Sequence, residues 1–100
     1  MLLDINTIIR EIEEYVANFG GNYPDWYVGI ASNPKNMLFQ DHNVHVENDV
    51  WIHKLARSLN DVRVIEDHFH NVRHADGASR IGDNTTVYIY AYRKTKHTRE

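Results

Sequence analysis

The 100-residue sequence contains no cysteine, which removes disulfides, thiolate nucleophiles and Cys-ligated zinc from the chemistry open to it. It has no apolar run approaching the roughly 18 residues that a membrane-spanning helix needs. Its start, MLLDINTIIREIEE, is punctured by acids from Asp4 onward, unlike the unbroken apolar stretch of a signal peptide. There is no overall basic field either: 11 Lys and Arg stand against 14 Asp and Glu, a net charge of -3. A nucleic-acid partner would therefore need a local patch. No serine sits in a strand-to-helix elbow and no hydrolase or kinase signature is present. Together with the absence of repeats and linkers, these gaps predict one soluble, cytoplasmic domain with a single modest core and no membrane association.

What is present reads as an α+β protein. Ile5, Ile8, Ile9, Ile12, Val16 and Phe19 recur at helical spacing, Asp4 or Asn6 can cap the start, and Gly20-Gly21 supplies a stop, so the spacing predicts a helix over 5–18. Its other face carries Arg10, Glu11, Glu13 and Glu14 and is expected to be solvated. After the turn residues Asn22 to Asp25 comes a β-rich run, 26–31, in which Gly29 marks a bulge or a close approach by another segment's backbone. Ser32 or Asn33 can cap a short helix, 34–41, with Pro34 at its first position. A second strand is predicted over 50–55, and a helix over 61–73 with Val62, Ile65, Phe69 and Val72 on one stripe. The polar stretch 74–84 reads as a mobile surface loop. Val87, Ile89 and Ala91 then alternate with Tyr88, Tyr90 and Tyr92, predicting a strand over 86–94. From about residue 95 a polar tail is expected to fray. The predicted order is α-β-α-β-α-β: a three-stranded, mainly antiparallel sheet against helices 5–18 and 61–73, with the short helix at one edge.

Several groups could carry chemistry. Glu66, His70 and His74 fall at i, i+4 and i+8 of one helix, where two of them, such as Glu66 and His70, could chelate a metal. A full site would need a further ligand such as His42, His45, Glu47 or His53. The same pattern also fits a plain polar helix face. The loop 76–84 could offer backbone N–H groups and Arg80 to an anion, or be only a loop. Tyr88, Tyr90 and Tyr92, followed by Arg93, Lys94 and Lys96, could stack bases and hold phosphates; covered by a helix, the tyrosines would instead be core. Gly29, Arg80, Tyr88, Tyr90 and Arg93 are thus the candidate ligand-binding residues.

Tyr27-Val28-Gly29 on a strand, followed by a short polar helix ending at His42, resembles the second half of the GIY-YIG nuclease signature. That resemblance implies a phosphodiesterase dependent on Mg2+ or Mn2+. Tyr27 or His42 would activate water, a cation would sit on the scissile phosphate, and Glu66, on a later helix, would hold the metal. The family's Gly-Ile-Tyr strand precedes its second strand, whereas the comparable strand here is Val87-Tyr88-Ile89-Tyr90, so the match requires a circular permutation. The position of the family's catalytic arginine holds Asn36 or Met37, and the nearest cation is Lys35, a point charge without the guanidinium fork. The layout YVGI…NP…LF…HNV…VYIYAY is closer still to that of some small bacterial proteins, a resemblance that implies no function. The missing arginine favours a non-catalytic binding or inhibitor-type module on a degenerate GIY-YIG-like scaffold, recognising a protein, nucleotide or nucleic-acid partner. The alternative is a metal-dependent GIY-YIG-like phosphodiesterase. Convergence of Tyr27, His42, Glu66 and a tyrosine of the last strand around an open pocket would favour catalysis; dispersal would favour binding.

Overall fold

The computed structural model describes residues 3–77 and 82–100. Helix α1, Ile5–Asn18, starts where the Asp4 carboxylate accepts the Thr7 N–H at 2.7 Å, and the chain leaves it through Gly20 and Gly21 at φ of 104° and 72°. Strand β1 is Trp26–Ala31. Helix α2, Pro34–Asn36, is capped by the Asn33 side chain and continues as a wide, π-type turn, Met37–Asp41. Strand β2, Trp51–Leu55, leads to helix α3, Leu59–Asp67, whose first turn is capped by Ser58 and whose end widens into a second π-type turn, His68–Val72. Strand β3 is Tyr88–Arg93. The α+β class, the element order and the antiparallel sheet are those the sequence predicts. No described helix is long and apolar enough to cross a membrane.

The last strand lies in the middle of the sheet, in the order β1-β3-β2, and both pairings are antiparallel. Tyr90 stands opposite Gly29 on one side and His53 on the other; Tyr92 stands between Tyr27 and Trp51. The pleat then sorts side chains onto two faces. Trp26, Val28, Ile30, Ile89 and Ala91 pack with Ile8, Ile12 and Val16 of α1 and with Val62, Ile65 and Phe69. Tyr27, Ala31, Tyr90 and Tyr92 pack on the opposite face beneath Leu38 and Val44. The sheet is thus sandwiched between α1 with α3 and the shorter α2.

Both turns end by one device without a glycine. Val44 N–H bonds to Leu38 O, and Ala75 N–H to Phe69 O, each at 2.8 Å, while Asn43 and His74 occupy the left-handed region at φ of 55° and 64°. Val44 and Ala75 then sit in the clusters of Leu38 and Phe69 respectively, the apolar contact that accompanies this helix stop.

Three expectations differ. The acidic face of α1 is not simply solvated: Glu11 pairs with Lys54 of β2 at 2.7 Å, and Glu13 meets both His68 and Arg73 at 2.9 Å, so two acids tie α1 to its neighbours. Burial alone would raise the Glu13 carboxyl, but the His68 and Arg73 hydrogen bonds outweigh it and hold the group below its ordinary value. The start of the 74–84 loop is fixed to the open edge of β1, since Asp76 N–H donates to Trp26 O and Val28 N–H to Asp76 O. The tail, expected to fray, turns back over the α2 side of the sheet, where Arg99 N–H donates to His42 O at 2.7 Å and Asn43 Nδ2 to His97 O at 3.0 Å.

Candidate functional site

His42 ends the wide turn of α2 and is only 2% exposed. Its Nδ1 lies 2.6 Å from Arg99 O and its Nε2 2.8 Å from Tyr90 Oη. A carbonyl can only accept, so Nδ1 carries a proton; in the neutral ring Nε2 then accepts from the Tyr90 hydroxyl. Tyr92 donates its hydroxyl to the same Arg99 carbonyl at 3.2 Å. The Tyr27 ring lies 4.6 Å from the His42 ring centroid and stacks on Tyr92 at 5.3 Å. Burial first, then the neighbouring Tyr27 and the Glu100 and Asp76 charges, push the Tyr92 hydroxyl well above its ordinary pKa. It therefore remains a donor. Gly29 makes this arrangement possible, because a Cβ there would fall 2.6 Å from Tyr90 Oη and 2.7 Å from its Cζ. What approaches Gly29 is the Tyr90 side chain and not the backbone expected of a glycine in a strand, and the pairing with β3 runs through it without a bulge.

Glu66 and His70 belong to a different place. With Arg63, Asp67, Asp76 and Gly77 they line a groove of about 440 Å³ beside the open edge of β1. Tyr27, His42 and Tyr90 do not line it. The His70 Nε2 donates to Val28 O at 2.8 Å, so that nitrogen is already engaged. Gly77 leaves room for this contact, since a Cβ there would meet the His70 ring and lie 2.6 Å from Val28 O.

Lys35 lies in a third place, a shallow cavity of about 240 Å³ shared with Ser32, Asn33, Pro34, His53 and Tyr88. Here β2 and the start of β3 leave aromatic side chains half-buried. The His53 ring stacks on Trp51 at 5.9 Å and 14° and meets Tyr88 edge-on at 5.9 Å, while Trp51 meets Phe39 edge-on at 5.0 Å. Burial, followed by the Lys35 and Lys54 charges, lowers the His53 pKa below its ordinary value and so favours the neutral ring. Asn36 and Met37, where the nuclease arginine would fall, line a separate cavity of about 320 Å³ with Gln40 and Asp41, and none of its described lining residues is cationic.

The candidate catalytic residues therefore fall into a buried cluster (Tyr27, His42), an edge groove (Glu66) and a surface cavity (Lys35). Among the candidate ligand-binding residues, Gly29 and Tyr90 are inside, Tyr88 borders the Lys35 cavity, and Arg93 lies on the α1 face with its guanidinium 5.8 Å from the Phe19 ring. Arg80 lies outside the described residues. Sequence reasoning missed Trp51 and His53 as an aromatic pair, although their period-two spacing beside Tyr88 could have indicated it. It named His45 only as a possible further ligand for the Glu66 and His70 pair, and missed Asp49 and His97, which meet it across 48 residues from Asp49 to His97. No protein-family model, no curated protein and no solved structure matches this chain.

Proposed function

We propose that this protein is a non-catalytic binding module on a divergent, permuted GIY-YIG-like scaffold, and that it recognises a nucleotide or a short single-stranded nucleic acid. One observation carries the reading: among the described residues Tyr27 and His42 are buried on the α2 side of the sheet, while Glu66 and Lys35 line two different cavities. Water activation, phosphate neutralisation and metal binding would have to occur within a few ångströms of one phosphate, as general acid-base and metal catalysis require. The scaffold reading is supported by β3, whose residues 88–90 lie antiparallel to β1 with Tyr90 opposite Gly29. In that arrangement the signature residues serve packing, and the Tyr90 hydroxyl serves His42.

The recognition surface is the half-buried row Trp51, His53 and Tyr88 with Lys35 beside it. Planar rings offer stacking to a base, and a single lysine offers a charge to a phosphate. The net charge of -3 disfavours neutralising a long run of phosphates, so the ligand is short and single-stranded. Trp26 is buried and Trp51 half-buried, so tryptophan fluorescence reports chiefly on the proposed surface. Titration with mononucleotides and short DNA and RNA strands should give saturable quenching. Tyr88→Ala should weaken binding by roughly 5- to 100-fold, the range of one lost base stack, and Lys35→Ala should weaken it and flatten its salt dependence. Cleavage of the same strands in Mg2+ or Mn2+, abolished by Glu66→Gln, would replace this reading with the phosphodiesterase.

A further inference from the structure

The loop after α2 and the segment after β3 bring together three side chains that neither the sheet nor the aromatic cluster uses. Asn43, in the left-handed region, turns the chain out of α2. His45 N–H then donates to the Asp49 carboxylate at 2.8 Å and Asp49 N–H donates to His45 O at 3.0 Å, closing a single-turn loop at both ends. The Trp51 indole N–H holds that loop to the sheet through Val46 O at 3.0 Å. On the other side, Thr95 N–H donates to Thr98 Oγ1, and the Asn43 side chain fixes His97 O. The two imidazoles consequently stack with centroids 3.9 Å apart and planes within 11°. His97 Nε2 lies 2.5 Å from the Asp49 carboxylate, whose side chain is only 5% exposed. One ligand atom from each of His45, Asp49 and His97 lies within 4.8 Å of the others.

We propose that His45, Asp49 and His97 form a binding site for a divalent transition-metal ion of the Zn2+ class. Two imidazoles and one carboxylate are the donors that such ions take, and three protein ligands leave a position for water. The set is a poor one for Mg2+ or Ca2+, which prefer several oxygen ligands. The orientation a metal site needs is already supplied by the surroundings: the His45 N–H fixes the carboxylate, the closed loop fixes His45, and Asn43 with Thr95 fixes the His97 segment. A bound ion would cross-link loop 43–49 to the segment whose Arg99 carbonyl His42 holds, and so fasten that segment over the aromatic cluster. This inference is independent of the proposed nucleotide surface.

The test uses untagged, chelator-treated protein titrated with Zn2+ by calorimetry and with Co2+ by visible absorption. The expected result is 1:1 binding with a Kd on the order of micromolar, weaker than a four-ligand structural site because one position is left to water, together with a higher melting temperature in Zn2+. His45→Gln and His97→Gln, both at exposed positions, should each weaken binding by roughly 10- to 100-fold. His68→Gln and His74→Gln should leave it unchanged. Zn2+ binding that persists in the His45→Gln/His97→Gln double variant would overturn the proposal. So would the absence of saturable binding below about 1 mM in the parent protein, which would leave His97 and Asp49 as a hydrogen-bonded pair only.

Discussion

His42→Ala should lower the free energy of unfolding by about 3–5 kcal/mol, the range for emptying a large buried site and breaking its hydrogen bonds. The loss has two parts. Removing a ring that is 2% exposed leaves a cavity bordered by Tyr27, Tyr90 and Tyr92. It also takes away an acceptor of the Tyr90 hydroxyl and one of two donors to Arg99 O, and each such hydrogen bond contributes about 0.5–1.5 kcal/mol. His42→Phe, which keeps most of the volume and loses only the hydrogen bonds, should cost about half as much. Urea denaturation of the three proteins measures this. The tail provides a second readout: Arg99 N–H donates to His42 O, and its protection from hydrogen exchange should fall further in the variants than that of the β3 amides. Against a typical domain stability of about 5–15 kcal/mol, His42→Ala approaches the limit of a folded protein.

Gly29→Ala should destabilise by about 2–4 kcal/mol, combining an overpacking cost with loss of one buried hydrogen bond. The new methyl would fall 2.6 Å from Tyr90 Oη and 2.7 Å from Cζ, and the ring has no free direction because it is fully buried between β1, β2 and His42. Moving the ring also breaks the 2.8 Å contact with His42 Nε2. Tyr90→Phe alone should cost about 1 kcal/mol. In Gly29→Ala/Tyr90→Phe the hydrogen bond is lost only once, so the double variant should be more stable than the sum of the singles implies, by about 1 kcal/mol. Strict additivity in that cycle would mean that the methyl is accommodated without touching the His42 contact.

These two sites show what the sequence carries and where it falls short. The period-two run through Tyr88–Tyr92 and the helical spacing of Ile5 to Val16 specify the elements, because side-chain periodicity is a local property. Gly29 read as a bulge or a backbone approach, whereas the group that needs its missing Cβ is the ring of Tyr90, distant in sequence and paired with it only in the sheet. His42 was legible as a helix end and as a candidate catalytic residue or metal ligand but not as a buried one, because its burial depends on Arg99, 57 residues away, and on a strand that enters the sheet last yet lies at its centre. The acids of α1 read as solvated since their partners Lys54, His68 and Arg73 arrive from other elements. The stops at Asn43 and His74 carry no glycine, so their left-handed turns left no usual mark. The start of the 74–84 loop and the tail read as mobile from their polarity, a local property that does not reveal the backbone hydrogen bonds tying Asp76 to β1 and Arg99 to His42. The candidate site failed to assemble for a related reason. Tyr27 alternates to the α2 face of the sheet, whereas Glu66 follows α3 to the edge of β1.

The central claim is that the signature-like residues build the core while recognition takes place on the Trp51, His53 and Tyr88 face. Backbone amide chemical shifts followed during titration with a short single-stranded oligonucleotide, with Mg2+ present, test it most directly. The account predicts saturable shifts confined to residues 32–35, 51–55 and 88, with the strand recovered intact. Shifts centred on Glu66, His70 and residues 75–77, accompanied by cleavage of the strand, would contradict it.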